Sequence, residues 1–204
     1  MSGSFERRYV DPKDPRPTRE KAIAAAFEVI PPSALVVCAN GHPSREAHKA
    51  ADRKGNFYMI GSMGMAPSIA LGLAVARPEK LVVVLDGDGN VLMGMGTLAR
   101  VAATQPARFV HVCLDNGEYG STGGQKTIST QVKLEEIARG AGYARTMRVH
   151  TLDELGAAVS LAVAATGPSF ILAPVAAGEP RDLAPRVVHE PPAIARRVRE
   201  AALA

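Results

Sequence analysis

The feature that most constrains this chain is the recurrence of short, mostly apolar runs separated by stretches with helical spacing. Runs at residues 34–39, 57–60, 81–85, 109–114, 144–149 and 170–175 are rich in Val, Ile and Leu and lack the strict alternation of a strand with one wet face. Helical spacing covers 18–30, where Thr18 can cap the first turn and Pro31-Pro32 ends the segment. It returns at 66–76, 91–103, 134–140 and 152–165. Strands buried on both faces and alternating with helices require cover on each side of the sheet. The expected architecture is therefore α/β, a three-layer doubly wound parallel sheet of about six strands. With 47% of its 204 residues hydrophobic, the chain can fill one such domain. The expected organisation is a lead-in at 1–17, the domain at 18–180, and a linker with a terminal helix at 181–204.

Several function classes fall away on composition. No apolar stretch approaches the ~18 uninterrupted residues of a membrane span, and residues 1–17 are polar and proline-rich without an apolar signal core. The expectation is a soluble, cytoplasmic protein. Cys38 and Cys113 sit inside strand runs and read as small core residues rather than a disulfide or metal pair. The net charge of +4 owes much to Arg196, Arg197 and Arg199 near the end, with no aromatic residues interleaved and no tryptophan anywhere. That argues against a nucleic-acid partner, while a modest net cation suits a small anionic substrate.

In doubly wound sheets, ligands bind beyond the carboxyl ends of the strands. Four segments follow strand runs and qualify as loops there: 40–47, 61–65, 86–90 and 115–130. In Asp86-Gly87-Asp88-Gly89-Asn90, glycines allow a close backbone approach to an anion, yet a carboxylate in the same place would repel a phosphate. A divalent cation bridging Asp88 to phosphate oxygens removes the conflict, since Mg²⁺ takes few protein oxygens and completes its shell with substrate phosphate. The next strand ends in Asp115-Asn116-Gly117-Glu118-Tyr119-Gly120, where Asn116 and a main-chain carbonyl two residues on can add oxygen ligands.

Gly87-Asp88-Gly89 followed by Asn116 resembles the magnesium-diphosphate motif of thiamine-diphosphate enzymes. The resemblance implies thiamine diphosphate and Mg²⁺ as cofactors, with Asp88, Asn116 and the main-chain oxygen of Glu118 as metal ligands. Gly61-Ser62-Met63-Gly64 resembles the loop that props the cofactor in its bent form. It implies Met63 as the prop and the Gly61 carbonyl as acceptor for the aminopyrimidine. Ser62, Gly87, Gly89, Asn90, Tyr119 and Gly120 complete the implied cofactor contacts. Those two segments, with Asn40-Gly-His42-Pro-Ser-Arg45-Glu, are similar to sulfopyruvate decarboxylase β subunits and phosphonopyruvate decarboxylases. That makes His42 and Arg45 candidates to contact the carboxylate or distal anion of a 2-oxo acid, for which a guanidinium is well matched. The family also needs a pyrimidine-binding domain carrying a catalytic glutamate, about 150 further residues. A separate α chain, and hence a hetero-oligomer, is the expectation.

Three competing motifs overlap these segments and fit less well. An EF-hand fails at Val91 and Thr97, where a calcium loop wants glycine and glutamate. Gly94-Met-Gly96-Thr-Leu-Ala99 matches a dinucleotide fingerprint but starts inside a helix, so close packing explains it better. Gly120–Thr127 nearly spells a phosphate loop, yet Gln125 replaces a required glycine and no helix pattern follows. His111 reads as a satisfied core histidine. A carboligase of acetolactate-synthase type shares the cofactor motifs and stays open as an alternative, as does a non-catalytic nucleotide-binding subunit.

Overall fold

A computed structural model describes residues 9–204, so the first part of the expected lead-in, residues 1–8, lies outside the described residues. Strands β1 (Leu35–Cys38), β2 (Asn56–Tyr58), β3 (Val82–Gly87) and β4 (Phe109–Asp115) precede a small hairpin of β5 (Glu118–Tyr119) and β6 (Gln125–Lys126), and β7 (Arg145–Arg148) and β8 (Ser169–Pro174) follow. Six of them form one all-parallel sheet ordered β2-β1-β3-β4-β8-β7, as the apolar runs predict. Among the helices are α1 (Arg19–Val29), α2 (His42–Ala50), α3 (Ala66–Ala76), α4 (Asp88–Met93) and α5 (Gly96–Thr104). The others are α6 (Leu134–Ala141), α7 (Leu152–Ala164) and α8 (Pro191–Leu203).

Successive strand residues feed opposite cores. Val36, Cys38, Val83, Leu85, Val110 and Val112 pack with Ile23 and Phe27 of α1 and Leu155 and Val159 of α7. Leu35, Val37, Val82, Val84 and Phe109 pack on the other side with Ala70 of α3, Leu98 and Val101 of α5 and Leu134 of α6. This two-faced burial is why the strands read as unbroken apolar runs. Helix α8 places Ile194 in the first core and Ala202 in the second, and so crosses the β2 edge of the sheet. No helix of the described residues is long and apolar enough to cross a membrane.

Three expectations are corrected. Residues 40–47 are not a loop: α2 begins at His42, after Gly41 turns the chain at φ 84° and with Pro43 tolerated in the first turn. Residues 86–90 are not a loop either, since β3 runs through Gly87 and α4 starts at Asp88. The single helix at 91–103 is broken into α4 and α5. At the break, a Cβ on Gly94 would lie 2.2 Å from the carbonyl oxygen of Gly64, a backbone contact that cannot yield. Close packing thus accounts for Gly94, although a side chain at Gly96 would meet nothing within 4 Å.

Both cysteines are fully buried. His111 is buried with Nε2 3.1 Å from Asp86 Oδ2 and Nδ1 3.3 Å from the Tyr143 hydroxyl, its ring edge-on to Phe170 at 4.9 Å between centroids. It is a satisfied core histidine. The Gly120–Thr127 segment folds into a short 3₁₀ turn at Gly120–Thr122 and strand β6, and the next helix begins only at Leu134. A phosphate loop needs a helix start directly after it, and that geometry is absent here.

Candidate cofactor-binding site

The chain leaves β1 toward β2 and returns on the other side as β3, so the carboxyl ends of β1 and β3 flank a topological switch point. A cleft of about 50 Å³ opens there. Asn40 and His42 line it beyond β1, Gly87 at the end of β3 and Asp88 to Asn90 beyond it, and Asn116 to Gly120 (Gly117 excepted) beyond β4. Met63 reaches in from the loop after β2, and Arg19 from the start of α1. The predicted residues Met63, Gly87, Asp88, Gly89, Asn90, Asn116, Glu118, Tyr119, Gly120 and His42 are thus brought together.

Asp88 is 1% exposed, and Oδ2 accepts a 2.5 Å hydrogen bond from the Thr127 hydroxyl. The Thr127 oxygen in turn accepts the Ser129 N–H at 3.3 Å, and the Ser129 hydroxyl donates to Asp115 at 2.7 Å. Burial raises the Asp88 carboxyl to about 6, against the hydrogen bond from Thr127 and with the charge of Asp115 adding to the rise. Among the described residues no cation partners its ionised form. Asn116 Oδ1 accepts the Glu118 N–H at 3.2 Å and keeps a second lone pair. The Glu118 carboxylate is engaged elsewhere, accepting from Lys126 Nζ at 2.9 Å and from the Gly178 N–H at 3.2 Å.

The glycines leave the cleft its shape. A Cβ on Gly89 would lie 2.5 Å from the Tyr119 ring and 3.0 Å from the Met63 methyl, so both side chains close on bare backbone. Asn90 Oδ1 accepts the Gly64 N–H at 2.8 Å and thereby fixes the loop that carries Met63. No side chain caps α4, which leaves its first N–H groups to water or a ligand.

Two residues of the cleft carry buried polar atoms without partners. Among the described residues, Asn40 Oδ1 and both ring nitrogens of His42 have no hydrogen-bond partner, and the Glu179 carboxylate stands 3.8 Å from His42 Nε2. Buried polar atoms are ordinarily paired, so these orphans mark a position for a further molecule. Oxygen ligands on a buried carboxylate and an amide, short of positive charge, fit Mg²⁺ rather than a softer ion.

Burial, followed by the charges of Arg19 and Arg45, lowers the His42 pKa from 6.5 to about 4. The imidazole is therefore neutral at pH 7. Because the folded value lies below the unfolded one, this stability is complete above about pH 6.5 and is lost as pH falls toward 4. Unfolding in urea should show roughly 3 kcal/mol more stability at pH 7 than at pH 4 from this group. The His42→Asn variant should lack that increment; an unchanged pH profile would contradict the assignment.

Other predicted residues lie outside the cleft. Gly61 and Ser62 face an adjoining groove of about 290 Å³, lined also by Phe57, Ile60, Met65, Ile69 and Ile194. Arg45 is not among the residues that line the cleft, although its charge reaches His42 and, among the described residues, its buried Nε has no partner; Arg19 does line it. Sequence reasoning missed Arg19, Asn40, Thr127 and Ser129. Arg19 is held by a bidentate pair with buried Glu46 at 2.8 and 2.9 Å, a link 27 positions apart that no local pattern signals.

Comparisons with known proteins bear on the same segments. Residues 38–173 match the family described as thiamine pyrophosphate enzyme, C-terminal TPP binding domain. A phosphonopyruvate decarboxylase from Streptomyces hygroscopicus is 44% identical over 163 residues, which are 80% of this chain but 40% of that protein. The chain thus spans well under half of that relative. A sulfopyruvate decarboxylase subunit beta from Methanococcus maripaludis is 42% identical over 156 residues, 76% of this chain and 83% of that subunit. The solved thiamine diphosphate-dependent 4-hydroxybenzoylformate decarboxylase of Rhodococcus jostii RHA1 superposes with a TM-score of 0.69 at 22% identity, covering 85% of this chain and 35% of that one. A parallel sheet with this switch point, together with matches that run through its cleft-forming segments, leads to one family: the chain belongs to the thiamine pyrophosphate enzymes, as a C-terminal TPP-binding domain.

Proposed function

We propose that this chain is the diphosphate-binding subunit of a two-subunit decarboxylase that converts a small anionic 2-oxo acid, of the sulfopyruvate or phosphonopyruvate class, to an aldehyde and CO₂. The observation that carries the cofactor part is the convergence of buried Asp88 and Asn116 in one cleft beside unpaired Asn40 and His42. Asp88, Asn116 and the main-chain oxygen of Glu118 would hold Mg²⁺, and Gly87 and Gly89 would admit the diphosphate. Once bound, thiamine diphosphate supplies the nucleophilic carbon and the electron sink that loss of CO₂ requires.

The chain's own residues bind and orient. Met63 presses against Gly89 and would support the body of the cofactor. Neutral His42 can donate one hydrogen bond and accept another, which suits it to hold a substrate oxygen rather than to neutralise it. Arg19 and Arg45 bring positive charge near the cleft for an acid with two anionic ends.

A separate α chain is supported by the surface. Helix α3 has Ser68 as its one polar residue yet buries only Ala66, Pro67, Ala70 and Ala74. Ile60, Met65, Val75 and Met93 on this side are 65, 48, 60 and 61% exposed. An apolar face of that kind calls for cover, and the groove at Gly61 and Ser62 adjoins it. Similarity to a protein named as a β subunit along most of its length fits the same arrangement.

Reconstitution tests this reading. With a candidate α chain, thiamine diphosphate and Mg²⁺, CO₂ release from sulfopyruvate or phosphonopyruvate should exceed that from pyruvate at least ~10-fold, the equivalent of one ion-paired contact. Acetolactate formed from pyruvate would instead favour the carboligase, and ATP binding without thiamine diphosphate binding would favour the nucleotide-binding subunit.

A further inference from the structure

Away from the cleft, among the described residues, His48, Asp52 and His189 each present a ligand atom within 4.8 Å of the others. His48 lies in the last turn of α2 and Asp52 two residues past its end, and His189 arrives from the segment before α8, 137 positions from Asp52. Both imidazoles point Nε2 at the same oxygen: His189 lies 2.8 Å from Asp52 Oδ2 and His48 lies 3.9 Å from it. A hydrogen bond explains the first distance. The second is too long for one.

The other oxygen of this carboxylate is fixed separately. Asp52 Oδ1 accepts from the Tyr58 hydroxyl at 3.0 Å and from Arg197 at 2.7 Å, which leaves Oδ2 to the two histidines. The rings are held as well, with His48 edge-on to both His189 and Tyr58 at 5.4 and 5.5 Å between centroids. Outer hydrogen bonds to a ligating carboxylate and packed imidazoles are the supports that metal sites use.

We propose that His48, Asp52 and His189 form a zinc-class metal site that fastens helix α8 and its linker to α2 at the sheet edge. Metal–ligand bonds of about 2.0 to 2.2 Å at tetrahedral angles separate ligand atoms by roughly 3.4 Å, between the two distances seen here. Two imidazole nitrogens and one carboxylate oxygen suit Zn²⁺, Co²⁺ or Ni²⁺, whereas Mg²⁺ takes oxygen ligands only. The site therefore differs in selectivity from the Asp88–Asn116 cleft. Side-chain exposures of 14, 32 and 19% for His48, Asp52 and His189 leave a fourth position open to water. Arg197 opposes the ion through its charge but does not compete for Oδ2.

The test is a Zn²⁺ titration of the full chain in saturating Mg²⁺, followed by calorimetry and thermal unfolding, with Co²⁺ as a visible-absorption probe. One ion per chain is expected, with a Tm rise of roughly 5 to 10 °C at a hundredfold excess over Kd. His48→Ala and His189→Ala should each weaken Zn²⁺ binding at least ~100-fold, since even outer-shell losses reach that range. His150→Ala should leave it unchanged. Absence of a stoichiometric Zn²⁺ isotherm in the wild-type chain would overturn the proposal whatever the variants do, and so would binding that survives the double variant.

Discussion

Replacing Asp88 by alanine should weaken Mg²⁺-dependent binding of thiamine diphosphate at least ~100-fold, because loss of even an outer-shell partner costs a metal site up to that much. The same change should not destabilise the metal-free chain at pH 7. Burial raises the Asp88 carboxyl to about 6, above its ordinary 3.8, so the folded state binds this proton more tightly than the unfolded one. Stability contributed by the group therefore falls as pH rises from about 4 to about 6 and stays lower beyond. Removing the carboxylate relieves roughly 3 kcal/mol of that penalty. The hydroxyl of Thr127 loses an acceptor in exchange, which costs about 1 kcal/mol. The net expectation is a urea midpoint equal to or above wild type at pH 7. A variant that both lost the cofactor and unfolded early would mean that Asp88 serves the fold and not the ligand.

The second large effect concerns the carboxylate two residues earlier. Asp86 is fully buried, with His111 Nε2 3.1 Å from Oδ2 and the Gly87 N–H donating to Oδ1 at 2.9 Å. His111→Ala would strip Oδ2 of this partner, leave a cavity against Phe170 and Tyr143, and release the strand that leads into Asp88. Breaking a buried pair from one side costs about 3 to 5 kcal/mol. Equilibrium denaturation should therefore show a loss of that size, and pairing His111→Leu with Asp86→Leu should recover part of it. A loss below about 1 kcal/mol, the scale of one ordinary hydrogen bond, would mean the pair is dispensable.

The sheet was legible because burial on both faces leaves strands such as Val82–Gly87 apolar nearly throughout. Helix α2 was not, for its buried side includes His42, Ser44 and Glu46, and only tertiary pairing of Glu46 with Arg19 makes that side tolerable inside the protein. The break between α4 and α5 was hidden for a similar reason, since it answers to the backbone of Gly64 and not to any neighbour in sequence. Asp88 and Asn116 could be found because each follows a strand directly, where the topology collects its loops. Thr127 reaches Asp88 across 39 positions through the β5–β6 hairpin, and nothing local announces the contact. Of the two candidates in the segment after β1, His42 lines the cleft and Arg45 does not, while Arg19, distant in sequence, does.

Binding of thiamine diphosphate through a magnesium ion at Asp88 and Asn116 is read out by calorimetric titration of the cofactor. The wild-type chain, alone and mixed with a candidate α chain, would be titrated with and without Mg²⁺. Binding that requires Mg²⁺, strengthens with the α chain and is lost in Asp88→Ala is the predicted result. Binding that ignores Mg²⁺ or survives Asp88→Ala, or no binding in any mixture, would contradict the account.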